Sequence, residues 1–380
     1  MKFIEDIVSG IPKAGGLVCG DHTVCCRSAE GTVFVVCDGI GSGIYANIAA
    51  ISCSNRFVEL IRRGVSARSA AEMIASSMHR ARTEDVPFSA FTAAAILPEG
   101  QFYVYTYEAP EAIVIQGTTC SVLKPEFFTA GYELVGEASG YLDAGDSLVL
   151  CSDGVTQAGM GRGHGFGIGI NHVAAYIGRA LQSGTGLREL PAKVSGMCAE
   201  YMGGTYQDDT TLAILHCRDA RELTIMTGPP SKASLDKEYV TKFMSMPGKK
   251  AVCGSSTADI VARETGKTVR MLKMGNAFGS PPEYVIDGIH LTAEGILMLN
   301  QVYNILGEPT ENFTEDSAVE RLCRMMLDSD VVHLMIGNAM NDAHEAMLFK
   351  QIGVRVRRTA VQLIADKLRE MGKLVIETYY

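Results

Sequence analysis

Five aspartates stand where apolar strands meet turns. Asp38 closes the run Val33-Phe34-Val35-Val36-Cys37 and is followed by Gly39-Ile40-Gly41-Ser42-Gly43. Asp153 has the same setting, after "LVLCS" and before Gly154; Asp21 lies in "VCGDHT", and Asp208 and Asp209 precede "TTLAIL". A carboxylate at the end of a buried strand is costly unless something pairs with it. Carboxylates without nearby histidines or thiolates suit hard cations, Mg2+ or Mn2+ rather than zinc. Two such ions, roughly 3.5–4 Å apart, could activate a water between them and hold a phosphate oxygen. That is the chemistry of phosphoester hydrolysis without a covalent enzyme intermediate. A glycine after the aspartate permits a sharp turn and brings a backbone carbonyl close to a metal. Any single Asp-Gly is more readily a plain turn; three strand–Asp–turn units and an Asp-Asp before a strand bring the metal reading level with it.

Taken in order, these motifs resemble a known family. Gly20-Asp21, Asp38-Gly39-Ile40-Gly41-Ser42-Gly43, Gly145-Asp146, Ser152-Asp153-Gly154 and Asp208-Asp209-Thr210-Thr211 are similar to those of the metal-dependent serine/threonine protein phosphatases of type 2C. The stage-II-sporulation-E-like bacterial branch, with its Asp-Gly-Met-Gly-x-Gly turn, is the better match. The resemblance covers residues 1–217 and implies two Mn2+ or Mg2+ ions. It implies that Asp38 bridges them with help from the Gly39 carbonyl, that Asp21 acts as ligand or water-holder, and that Asp153 and Asp208 bind one metal of the pair. Asp209 stands behind these ligands.

Three departures matter. Animal relatives carry a histidine after the bridging Asp-Gly; here Ile40 stands there, so the leaving-group proton needs another source. His22, beside Asp21, is a weak candidate helper, and a packed histidine is the alternative. Gln157 replaces the glutamate that often follows Ser-Asp-Gly-Val-Thr. No arginine is obviously placed for a phosphate, Arg27 being only a weak candidate.

The elements that must position these residues follow from periodicity. Residues 32–38 read as a strand. Ile44, Ile48, Ile51, Asn55 and Val58 fit one helix face, capped by Ser42 and stopped by Gly64. Residues 67–82 read as a second helix. "FTAAAIL", "QFYVYTY" and "AIVIQ" read as an antiparallel meander, 187–202 as a helix, and 209–217 as a strand. Residues 159–169 carry glycine at every odd position and read as a mobile loop, either a gate or a plain connector. The expectation is an α+β domain over 1–218: an αββα sandwich of two antiparallel sheets flanked by helices.

After a polar break at 218–222 the pattern restarts as alternating strands and helices, so 219–380 is expected to be a separate α/β domain. The strand–turn–helix "KKAVCGSSTADIVARETG" suits either an anion at the helix start or a plain capped turn. Asp287, His290 and Glu294 faintly suggest an esterase but lack a nucleophile motif. His333, His344 and Glu345 do not have metal-ligand spacing. A regulatory or partner-binding role is expected.

Composition bounds the partners. With 34 Lys+Arg against 43 Asp+Glu, the charge of −9 argues against nucleic acid and anionic membranes. Eleven scattered cysteines, with no CxxC, read as buried free thiols in a reducing compartment. No apolar stretch nears the ~18 residues that span a bilayer. A cytoplasmic phosphatase is therefore expected, acting on a phosphorylated protein; the resemblance implies a small anti-anti-sigma-type regulator. A homodimer is left open. The rivals are a noncatalytic scaffold with this fold and a small-molecule phosphoesterase.

Overall fold

β3 (Gly31–Gly39) is the strand around which the first sheet is built. Its alternating side chains fill two cores: Val33, Val35 and Cys37 face a helix layer, and Phe34 and Val36 face a second sheet. A strand buried on both faces needs an unbroken apolar run, which is what its sequence carries. The computed structural model describes residues 1–41, 43–275, 281–313, 316–339 and 355–380. Two units are distinguished, Met1–Asp219 and Ala220–Tyr380.

In the first unit, β3 pairs antiparallel with β2 (Asp21–Ser28) and β4 (Ser89–Ile96). β5 (Gln101–Tyr107), β9 (Glu133–Tyr141) and β8 (Glu126–Ala130) complete a six-stranded sheet in the order β2-β3-β4-β5-β9-β8. The other sheet runs β1 (Lys2–Ile11), β11 (Thr210–Asp219), β10 (Ser147–Cys151), β6 (Ile113–Gln116), β7 (Thr119–Val122), also antiparallel. Between the sheets lie Phe34, Val36, Phe102, Val104, Leu148, Leu150 and Leu215. α1 (Ile44–Arg62) and α2 (Ala67–Thr83) cover the six-stranded sheet through Phe57, Ile74 and their neighbours. α4 (Ile170–Gln182) and α5 (Leu190–Tyr201) cover the five-stranded one, and a single turn, α3 (Asp153–Thr156), follows β10. The expected αββα sandwich is the architecture observed.

Details differ from expectation. The expected meander is broken: β4 and β5 pair, but β6 crosses to the other sheet and pairs with β10. Pro110, in the connection, lacks the N–H that would continue a ladder. The cap expected at Ser42 lies outside the described residues; α1 follows Gly43, at φ 69°. Its end agrees with expectation: Gly64 has φ +80° and bonds back to Ile61 O. The glycine-rich segment 159–169 is a chain of tight turns, with Arg162 N bonded to Gly159 O and Ile168 N to Ala158 O.

Among the described residues, the second unit holds a seven-stranded sheet. Its parallel core runs β16 (Leu291–Ala293), β13 (Lys249–Cys253), β12 (Glu222–Thr227), β17 (Val331–Ile336), β18 (Leu374–Tyr379). β15 (Glu283–Val285) and β14 (Arg270–Lys273) add antiparallel strands at one edge. α6 (Asp236–Ser245) and α7 (Ser255–Thr265) pack on one face; α8 (Ile296–Ile305), α9 (Ala318–Asp328) and α10 (Arg357–Glu370) pack on the other. The expected α/β alternation is present.

The polar residues singled out in this unit mostly serve the fold. Glu294 accepts from Ile296 N and Leu297 N at the start of α8. His290 Nδ1 accepts from Lys250 N. His333 is bonded to buried Glu222 at 2.9 Å. The start of α7 carries no side-chain cap. His344 and Glu345 lie outside the described residues.

Candidate functional site

Strand register brings the first two carboxylates together. In the β2–β3 hairpin Asp21 lies directly opposite Asp38. Like charges at such a pair are unfavourable, so the arrangement needs a reason beyond folding. The other sheet supplies the rest. Ser152 N bonds to Thr211 O at 3.0 Å, and Thr211 N bonds to Ser152 Oγ at 2.9 Å. These two bonds tie the end of β10 to the start of β11, and so Asp153 to Asp208 and Asp209.

The electrostatics report how close the groups are. Burial, then the Asp21 and Asp153 carboxylates, push Asp38 up from 3.8 to about 10. Asp153 stands near enough to share its proton, and Asp208 adds to the repulsion. Burial pushes Asp21 up to about 6, with Asp209 and Asp153 adding to it and the nearby Ser152 and Thr211 relieving part. Even so, neither Asp21 oxygen has a hydrogen bond of good geometry, although the residue is only 7% exposed. Asp208 is raised mainly by burial, and its Oδ1 accepts from Asp209 N at 2.9 Å. Asp209 is buried, and its Oδ1 accepts from Lys13 N at 3.0 Å.

All five sequence-selected aspartates therefore belong to one neighbourhood, fed by both sheets. Among the described residues, no group of three or more His, Cys, Asp or Glu side chains stands close enough together to hold a metal ion as placed. The donors are oxygens only. Cys37 and Cys151 lie at the same strand ends, but burial pushes both thiols well up, which removes them as thiolate ligands or nucleophiles.

The glycines after the aspartates have a packing role that motif reading did not reveal. A Cβ on Gly39 would lie 1.9 Å from Ala46 O, inside the backbone of α1; on Gly154 it would lie 2.1 Å from Asp209 O. Neither has positive φ. They are glycine because another backbone passes over them, not because the turn is left-handed. Ser89 was missed too: its Oγ donates to the Asp38 carbonyl at 2.8 Å and fixes the turn.

The weaker candidates separate. His22 turns to α1, where its Nδ1 is 2.8 Å from Ser54 Oγ, and burial lowers its pKa. Arg27 pairs with Asp6 and lies opposite Thr32, six residues along β2 from Asp21. That is about 20 Å at strand rise, too far to hold a phosphate at the cluster. Gln157 is close: its Nε2 donates to Asp153 Oδ2 at 2.7 Å.

The stage II sporulation protein E (SpoIIE) family profile matches residues 28–218. Among solved structures, the PP2C phosphatase domain of SpoIIE with a fragment of its regulatory domain, from Bacillus subtilis, is 20% identical, with TM-score 0.48 over 57% of this chain and 64% of that one. This chain thus spans less than two thirds of that structure. The RsbU and RsbW domains of a Mycobacterium tuberculosis protein are 15% identical, with TM-score 0.47 over 63% of this chain and 67% of that one. The SiaA-PP2C domain of Pseudomonas aeruginosa is 20% identical, with TM-score 0.45 over 55% and 85%. None of the curated proteins matches. With half of its length under the family profile, the chain belongs to the SpoIIE family, and its first unit is a PP2C-type phosphatase domain.

Proposed function

We propose that residues 1–218 form a divalent-cation-dependent phosphatase that hydrolyses phosphoserine or phosphothreonine of a protein in bacterial signalling. The observation that carries this is Asp21, a buried carboxylate with neither oxygen in a well-formed hydrogen bond, opposite Asp38 and beside Asp153. Repelling carboxylates held together by two sheets are stable only when protonated or when cations neutralise them. The all-oxygen donor set fits Mn2+ or Mg2+. One solved neighbour, RsbX, was crystallised with magnesium.

Asp38, with the Gly39 carbonyl, would hold the ions, with Asp21, Asp153 and Asp208 completing the set. Bound ions of this kind supply positive charge for the phosphate oxygens and activate a water for attack on phosphorus. The chain's own residues set the geometry: Gln157 aims Asp153, Ser89 fixes the Asp38 turn, and the Lys13 backbone N–H holds Asp209. The products are the free hydroxyl side chain and inorganic phosphate. Ile40 is apolar and 43% exposed, so no proton for the leaving oxygen comes from that position. The substrate is taken to be a small anti-anti-sigma-type regulator, and residues 219–380 to be a regulatory or partner-binding domain.

The test is turnover of an aryl phosphate and of a phosphoserine peptide by the full chain in Mn2+ and after chelation. Cation-dependent release of phosphate from both supports the reading; chelator-insensitive release, or release from neither, contradicts it. Gln157 supplies a finer prediction. Groups that orient metal ligands affect metal affinity by about 10–100-fold. Gln157→Ala should raise the Mn2+ concentration for half-maximal turnover by roughly tenfold while leaving the saturated rate within about threefold. An unchanged Mn2+ dependence would remove Gln157 from the site.

A further inference from the structure

The six-stranded sheet extends past the cover of its partner. Phe128 and Val135 pack under the helix layer, but Phe127 and Leu134 stand on the opposite face, which farther along the sheet is the sandwich core. Here nothing among the described residues covers it: Phe127 is 66% exposed and Leu134 59%. The two residues line a groove of about 380 Å3 that also takes in Glu108, Pro110, Glu111 and Asp153. Asp153, with Asp38, also lines the narrow cleft at the carboxylate cluster, so the groove adjoins the cluster.

The groove has an apolar wall and an acidic wall. Glu108 is paired with Arg82 from α2 and is held at φ 50°, a strained conformation for a non-glycine residue. Glu111 has no ion pair or hydrogen bond among the described residues. An unpaired carboxylate beside exposed aromatic and aliphatic side chains is complementary to a cation carried next to an apolar residue. A few hundred cubic ångströms accommodates two or three side chains, not a domain.

We propose that this groove docks the extended segment flanking the phosphorylated residue of a protein substrate. Glu111 and Glu108 select an arginine or lysine in that segment, and Phe127 and Leu134 select an apolar residue. The proposal rests on the phosphatase reading for what lies at the end of the groove, but its recognition chemistry is separable from turnover.

The experiment measures binding of the full chain to two fluorescent phosphoserine peptides by anisotropy. They are identical except that one carries arginine and the other glutamate near the phosphoserine, both with a neighbouring leucine. The basic peptide should bind at least about fivefold tighter. Glu111→Lys should abolish or reverse that ratio, Glu108→Gln should reduce it, and Phe127→Ser should weaken both peptides. Equal affinities, or a ratio unchanged in Glu111→Lys, would overturn the proposal. So would a dimer that Phe127→Ser dissociates in sedimentation, which would assign the groove to a second copy of this chain. Turnover of an aryl phosphate, too small to reach the groove, is followed in parallel on the unsubstituted protein. Turnover without peptide preference sinks the groove and leaves the phosphatase. Peptide preference without turnover leaves the groove and sinks the phosphatase.

Discussion

Asp38→Asn should make the cation-free protein more stable while destroying its activity. In the folded chain, burial and neighbouring carboxylates lift Asp38 from 3.8 to about 10. The sign follows from linkage. A carboxylate with a raised folded pKa is tolerated at no cost below its unfolded value, and stability is lost as pH rises towards the folded value. For Asp38 that loss grows from about pH 4 towards pH 10, and for Asp21 from about pH 4 to pH 6. Asparagine copies the protonated form and removes the larger penalty. At pH 7–8 in chelator, the variant should gain ~2–4 kcal/mol, about 5–10 °C in melting temperature for a unit of this size. The fall of melting temperature with pH should also flatten. On the proposed reading Asp38 would be a cation ligand, so phosphatase turnover should drop by at least about a thousandfold. Thermal unfolding from pH 5 to 9 checks the first part and aryl-phosphate turnover the second. A variant less stable than its parent in chelator would mean that Asp38 has a stabilising partner, contrary to the account.

Gly39→Ala should instead lose both stability and activity. The added carbon would sit 1.9 Å from Ala46 O and 2.4 Å from Ala46 C. Backbone cannot swing away as a side-chain tip can, so α1 would have to lift off β3. Overpacking of this kind costs about 1–3 kcal/mol and more when backbone must move, which predicts a loss of at least ~2 kcal/mol. The Asp38 turn, held by Ser89 and by Gly39 N to Gly20 O at 3.3 Å, would shift with it. A fall in melting temperature of roughly 5 °C or more, together with a raised Mn2+ requirement, is expected. A protein melting with its parent would show that α1 is not packed on this turn.

The clustering of the aspartates was legible in the sequence because they stand at strand ends. Asp38, Asp153 and Asp208 each adjoin an apolar run whose period announces a strand, and the ordered motifs carried the resemblance. What was not legible depended on partners far along the chain. The role of Gly39 depends on the backbone of α1, and that of Gly154 on the Asp209 carbonyl. Gln157 stood out only as a departure, and its contact with Asp153 needed the helical turn of α3.

The fold shows the same division. Strands buried on both faces, such as β3 and β10, could be read directly. β1, "KFIEDIVSGI", could not: half-buried along most of its length, it mixes charged with apolar positions. β8 and β9 carry exposed phenylalanine and leucine where the sandwich leaves one face open, so their pattern blurs. α4 begins after a glycine without a side-chain cap and carries Gly178 in its interior. That glycine faces Thr118 O in the β6–β7 turn, where a Cβ would be 3.4 Å away. Tertiary packing there overrides the local signal for helix.

The most direct test of the central claim is calorimetric titration of Mn2+ into the cation-free full chain and into Asp38→Asn and Asp153→Asn. The account predicts saturable binding to the parent with release of protons, since burial and the neighbouring carboxylates favour the protonated form of Asp38, and loss or severe weakening of that binding in both variants. No binding to the parent, or binding that both variants retain, would contradict it and leave the five aspartates as a structural cluster of a noncatalytic scaffold.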